Sequence, residues 1–237
     1  MSLPMKKKIL LSSLGITEIL SDTPVNRLEN LETSSINTPK KESTESQTLE
    51  GLKKELDSFE GCALKKTAMN LVFSDGNPQA DIMLIGEAPG ADEDRQGKPF
   101  VGMSGQLLTK AFKAAGFDRE KDLYISNTVF WRPPGNRQPT SQELEACLPF
   151  TQRHIALIQP KLLILVGGTA VKALLNTNEG ITKLRGKWFD YKVPGLEKPI
   201  KTTAIYHPAY LLRSPGRKKD MWMDLLKIKK ELRAHPN

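Results

Sequence analysis

Two short apolar runs, each stopped by glycine, constrain this chain more than any other feature. They are residues 81–85 (DIMLI) before Gly86 and residues 161–166 (KLLILV) before Gly167 and Gly168. A run this short lacks the length of a buried helix and the alternation of a half-exposed strand, so it reads as a strand covered on both faces. Around these runs the pattern switches repeatedly between the two periods. Residues 51–59 (GLKKELDSF) and 106–115 read as helices and 123–129 as a strand. Residues 140–158 form a long helix opened by the capping box of Thr140 and Glu143 just after Pro139. A helix at 170–175, a strand at 201–206 and a helix at 221–232 complete the series. Alternation of this kind predicts an α/β fold: a three-layer α/β/α sandwich around a central, mainly parallel four-stranded sheet. Ligands are then expected beyond the carboxyl ends of the strands.

The compact domain is predicted over residues 51–237. Residues 29–50 (ENLETSSINTPKKESTESQTLE) have too few large apolar side chains to offset the entropy of ordering, and read as a disordered linker. Ahead of them, residues 1–28 include a short amphipathic helical segment around KILLSSLGITEIL, the expected place for contact with an unknown partner. No apolar run is long enough for a signal peptide or a membrane span, so a soluble protein is expected. The two cysteines, Cys62 and Cys147, supply neither a disulfide scaffold nor a four-thiolate site, and a reducing cytoplasm is the simplest setting. A net charge of +8 favours polyanionic partners.

Three segments fall at predicted strand ends: GEAPGADEDRQGKPFVGMSGQLL from Gly86, SNTVFWRPPGNR from Ser126, and YHPAYLLR from Tyr206. Gly86, Pro89 and Gly90 impose a tight turn that lets backbone approach a ligand and aims the Glu87 carboxylate inward. Ser104 and Gly105 precede a helix whose free amides suit a phosphate. Taken singly, such a turn marks any of several nucleotide-binding folds.

In combination and order, GEAPG, GKPFVG, PPGNR and HPAYLLR closely resemble the type-4 uracil-DNA glycosylases, from about residue 52 to the end of the chain. The resemblance implies excision of uracil from single- or double-stranded DNA by base flipping, at the start of base-excision repair, by a monomer. It implies Phe100 as the platform for flipped uracil, with Gly86 and Ala88 beside it, and Asn127 as the side-chain amide that reads N3–H and O4. His207 would bond O2 as the base departs, and Glu87 would position or deprotonate the attacking water. Glu93 would crowd uracil C5 and exclude thymine. Leu211 would wedge into the gap left in the stack, while Arg213, Arg217 and Lys218 join Ser104 and Gly105 at the DNA backbone.

The chain departs from that family at one place. Four cysteines usually hold a [4Fe-4S] cluster there, and the corresponding positions here are Phe59, Cys62, Trp131 and Cys147. Neither aromatic residue binds iron, so no cluster and no other cofactor is expected, with aromatic packing in its place; retention of the family's cluster is the alternative. Three rival functions are weighed as well. A non-catalytic DNA-binding or uracil-sensing relative is disfavoured by the three intact segments. Covalent capture of DNA is disfavoured because residues 181–187 (ITKLRGK) contain no histidine. Phosphoryl chemistry would need Asp92, Glu93 and Asp94 to converge on a metal ion.

Overall fold

A computed structural model of the chain describes residues 48–234. The N-terminal helical segment and the linker up to residue 47 lie outside the described residues. The first helix, α1 (Leu49–Ser58), begins inside the stretch assigned to the linker, because Thr48 caps it: its hydroxyl accepts from the Gly51 amide at 3.0 Å. Then follow β1 (Asp75–Gly76), β2 (Ile82–Gly86), α2 (Ala91–Gln96), α3 (Met103–Ala114), β3 (Leu123–Asn127) and α4 (Ser141–Ile158). The second half comprises β4 (Leu162–Val166), α5 (Gly168–Leu175), α6 (Ile181–Leu184), β5 (Trp188–Tyr191), β6 (Ile200–Ile205), α7 (Pro208–Arg213) and α8 (Lys218–Ala234).

The strands form one sheet in the order β1-β3-β2-β4-β6-β5. The inner four, β3, β2, β4 and β6, are parallel, as the buried runs predict. The structure adds an antiparallel strand at each edge, β1 against β3 and β5 against β6. Edge strands pair on one side only and need no continuous apolar run: β1 is two half-buried residues and β5 is mostly half-exposed.

Alternation within the inner strands builds the layers. Ile82, Leu84, Ile125, Ile164 and Val166 point to one face and pack with Leu108 and Phe112 of α3, Leu211 of α7 and Leu225 and Ile228 of α8. Met83, Ile85, Tyr124, Leu163 and Leu165 point to the other, against Ile155 of α4, Val171 and Leu174 of α5 and Leu184 of α6. At roughly 1.5–3 kcal/mol for each fully buried large apolar side chain, these two interfaces hold the helices to the sheet. A third cluster joins α1, the turn after β3 and α4 through Leu52, Leu56, Cys62, Phe130, Trp131, Cys147 and Phe150.

Candidate functional site

Register sets the floor of the site. Gly86 at the end of β2 pairs with Asn127 at the end of β3, and Val166 at the end of β4 pairs with Ile205 of β6, two residues before His207. The four carboxyl ends therefore open into one cleft of about 830 Å³, lined by Glu87, Glu93, Phe100, Asn127, Ser104 and His207 among others. Ala88 and Arg213 also line it. The strand-end rule thus gathers the three sequence segments at one place.

Two glycines make the approach possible. A Cβ on Gly86 would lie 2.4 Å from Asn127 Oδ1 and 2.5 Å from the Phe100 ring, so only glycine lets the amide and the ring meet over β2. Gly167, at φ +96°, lets His207 close in, since a Cβ there would sit 2.9 Å from that of His207. Asn127 is 1 % exposed, and neither its Nδ2 nor its Oδ1 has a hydrogen-bond partner among the described residues. A buried amide with both its donor and its acceptor unused costs roughly 1–3 kcal/mol per group, so its retention in a cleft points to a ligand that satisfies it.

Phe100 is held in a left-handed backbone conformation, φ 54°, which a bulky residue adopts only when its surroundings impose it. They do so from two sides. Arg119 donates to the Pro99 carbonyl at 2.6 Å and the Phe100 carbonyl at 3.0 Å, and is itself fixed by Asp75 of β1 at 2.9 Å. Glu93 accepts from the amides of Val101 (2.9 Å) and Gly102 (2.8 Å), and from Gly90 at 3.1 Å. Glu93 therefore braces the loop besides facing the cleft. Gly105 is buried beneath the same turn, where a Cβ would meet the Phe100 carbonyl at 2.0 Å, so it is needed for packing; Ser104 lines the cleft and Gly105 does not.

His207 caps α7. Its Nδ1 accepts from the Ala209 amide at 3.2 Å, which leaves the ring proton on Nε2. Burial, with Arg213 nearby, pushes the imidazole down to about 4 against the opposing pull of Glu93, so the ring is neutral at neutral pH. The Phe100 and His207 rings stand 5.8 Å apart. The depressed value has a consequence for folding. Between about pH 6.5 and 4 the unfolded chain binds a proton at this histidine and the native chain does not, so its stabilising contribution is lost as pH falls through that window. Asparagine preserves the cap, so the variant His207→Asn should fold. Urea unfolding from pH 7 to 4 should show its stability falling less steeply than wild type, by about 1.4 kcal/mol per pH unit near pH 5. Equal slopes would contradict the assignment.

The structure contradicts a wedge role for Leu211. That side chain is wholly buried in the core, and Leu212 next to it is 38 % exposed. Arg213, Arg217 and Lys218 are exposed around the following turn, Arg217 pairing with Asp220 at 3.2 Å. Nor do the three adjacent acids converge. They lie in the first turn of α2, where Asp92 pairs with Arg95, Glu93 holds the loop and Asp94 accepts from the Met69 and Asn70 amides. Among the described residues no group of three or more His, Cys, Asp or Glu is placed to hold a metal ion. Sequence reasoning missed Thr169, whose hydroxyl donates to the Glu87 carboxylate at 2.6 Å, as well as Arg119 and the cleft-lining Lys172. Thr169 follows a strand end and so could have been found by the same rule; Arg119 carries no such signal.

A match to the family model described as the uracil DNA glycosylase superfamily spans residues 73–226 and includes every element that lines the cleft. The chain belongs to this superfamily. It is 39 % identical over 187 residues to the type-4 uracil-DNA glycosylase of Sulfurisphaera tokodaii, covering 77 % of this chain and 84 % of that one. The type-4 enzyme of Archaeoglobus fulgidus is 38 % identical over 186 residues, covering 77 % and 92 %. That of Thermotoga maritima is 38 % identical over 172 residues, covering 72 % and 86 %.

The third core cluster of this glycosylase-family chain gathers the four positions, Phe59, Cys62, Trp131 and Cys147, that correspond to the cluster cysteines of the resemblance, with Phe59 packed against its edge. Phe59 and Trp131 stack with centroids 6.5 Å apart, and Phe150 meets Phe59 edge-on at 4.7 Å. Trp131, Cys62 and Cys147 are all but fully buried. Interaction between the two neighbouring thiols draws Cys62 down and, with burial, pushes Cys147 up. Two thiols among packed rings do not fit a four-iron cluster, which needs four ligands and the volume those rings occupy.

Proposed function

We propose that this protein is a uracil-DNA glycosylase, hydrolysing the N-glycosidic bond of uracil flipped out of DNA and so initiating base-excision repair. The observation that carries the reading is the Asn127 amide, buried with both hydrogen-bonding groups unused among the described residues, in one cleft with a neutral histidine. Uracil offers an N3–H donor beside an O4 acceptor, the complement of a side-chain amide, whereas cytosine offers the reverse and would leave the amide mispaired. Phe100 supplies the stacking platform. The His207 Nε2–H meets O2, where charge grows as the base leaves, and a neutral donor does so without first losing a proton to solvent. Glu87 receives the water that attacks the oxocarbenium-like sugar. Glu93, pinned by three amides, forms the fixed wall at uracil C5.

Leu212 takes the wedge role, and Ser104, Arg213, Arg217 and Lys218 meet the phosphates. We further propose that the packed rings of Phe59, Trp131 and Phe150 brace the domain without iron, that the working unit is a cytoplasmic monomer, and that residues 1–28 provide the contact for a repair partner. The chemistry as assigned uses no metal. The test is incubation with uracil-containing oligonucleotides, single-stranded and duplex, in EDTA, followed by alkaline cleavage at abasic sites. Scission at the uracil is expected; its absence with DNA binding intact would make the protein a binding module. Leu212→Ala should slow excision from duplex roughly tenfold and from single strands far less, since only duplex must be unstacked. Leu211→Ala should instead cost about 2–5 kcal/mol of stability. The opposite pattern would return the wedge to Leu211.

A further inference from the structure

We infer that Thr169 is a positioning residue for the water-activating carboxylate: its hydroxyl fixes one oxygen of Glu87 so that the other is aimed at the attacking water. The inference rests on the role proposed above for Glu87. Thr169 lies in the first turn of α5, just past the end of β4, and donates to Glu87 Oε2 at 2.6 Å, a distance typical of a hydroxyl donating to an ionised carboxylate. Both residues line the cleft.

The bond is not needed to hold the fold. Strands β2 and β4 are already paired along their length, and the Glu87 carbonyl accepts from the Thr128 hydroxyl at 2.6 Å and from the Val129 amide at 3.3 Å. With the Glu87 backbone fixed in this way, what remains free is the side chain, which has three torsions. Threonine is suited to remove that freedom, because a β-branched side chain is itself restricted at χ1. Oε2 is occupied by this contact, so Oε1 is the oxygen left to accept from water.

Single-turnover excision on a uracil oligonucleotide, with the full chain, tests this. Thr169→Val should slow the chemical step roughly 10- to 100-fold, the worth of a hydrogen bond to a charged group. Half-saturation by DNA should stay within about twofold, so the loss falls on the chemical step and not on binding. Thr169→Ser, which keeps the hydroxyl, should recover most of the rate. Glu87→Gln should abolish most activity, and adding Thr169→Val to it should cost nothing more. If Glu87→Gln disables the enzyme while Thr169→Val leaves the rate of the chemical step unchanged, Thr169 has no positioning role. Multiplicative losses in the double variant would overturn it as well. Full activity in Glu87→Gln would instead overturn the underlying assignment of Glu87.

Discussion

Asn127→Ala is expected to lower kcat/KM for uracil excision by roughly 10²–10³-fold, the loss seen when one preorganised polar contact is removed from a reacting site. The size follows from how the side chain is held. It sits at 1 % exposure between Gly86 and Phe100, with no protein partner for either polar atom among the described residues. No rearrangement is then needed when the base arrives. Removing the amide deletes both of the contacts proposed to uracil and exposes no new charge. Because those atoms are unpaired in the free protein, the melting temperature of Asn127→Ala should not fall by as much as an ordinary core truncation. An unchanged excision rate, or a loss of rate explained by unfolding, would remove Asn127 from the base pocket.

Trp131→Ala is expected to destabilise the domain by about 3–5 kcal/mol, as deletion of a buried aromatic ring does. The ring is 2 % exposed, stacks on Phe59 and meets Phe130 edge-on at 6.3 Å, so its loss leaves a void beside Cys62 and Cys147. If these aromatics act as the brace, the purified wild-type protein carries no stoichiometric iron even when handled without oxygen, and chelators leave its unfolding midpoint unchanged. Stoichiometric iron with cluster absorbance, or a midpoint that falls with chelation, would overturn this account. Guanidinium unfolding of wild type and Trp131→Ala gives the stability difference directly.

The inner sheet was legible because its strands are buried on both faces, and residues 81–85 and 161–166 announce this by composition alone. The capping box at Thr140 was legible because it is local: the Thr140 hydroxyl accepts from the Glu143 amide at 3.3 Å, and Glu143 reaches back to the Thr140 amide at 2.8 Å. Helix α2 was not, since ADEDRQ has no apolar face to reveal a helical period. Choosing between Leu211 and Leu212 needs the phase of α7, and one residue turns a helix by about 100°. The contacts of Thr169 and Arg119 join residues far apart in the chain, 82 positions in the case of Thr169 and Glu87, and no local pattern encodes them. PPGNR reads as a site motif, and its Asn136 and Arg137 do line the cleft; Arg137 also makes a bidentate pair with Glu143 at 2.7 and 2.8 Å and holds Glu143 down to about 2. That pair ties the cleft's rim to the start of α4.

The left-handed turn at Phe100 places an aromatic ring where glycine would cost less backbone energy, by an amount on the order of 1–2 kcal/mol. Its restraint passes through Arg119 to Asp75, in a two-residue strand at the outer edge of the sheet. Judged by burial, Asp75 is an ordinary rim residue whose replacement would be filed as harmless. Because it anchors the arginine that grips the Phe100 peptide, damage at that margin would surface, if Phe100 is the platform proposed above, as a defect in substrate recognition. The strand the sheet could best do without is one the catalyst cannot.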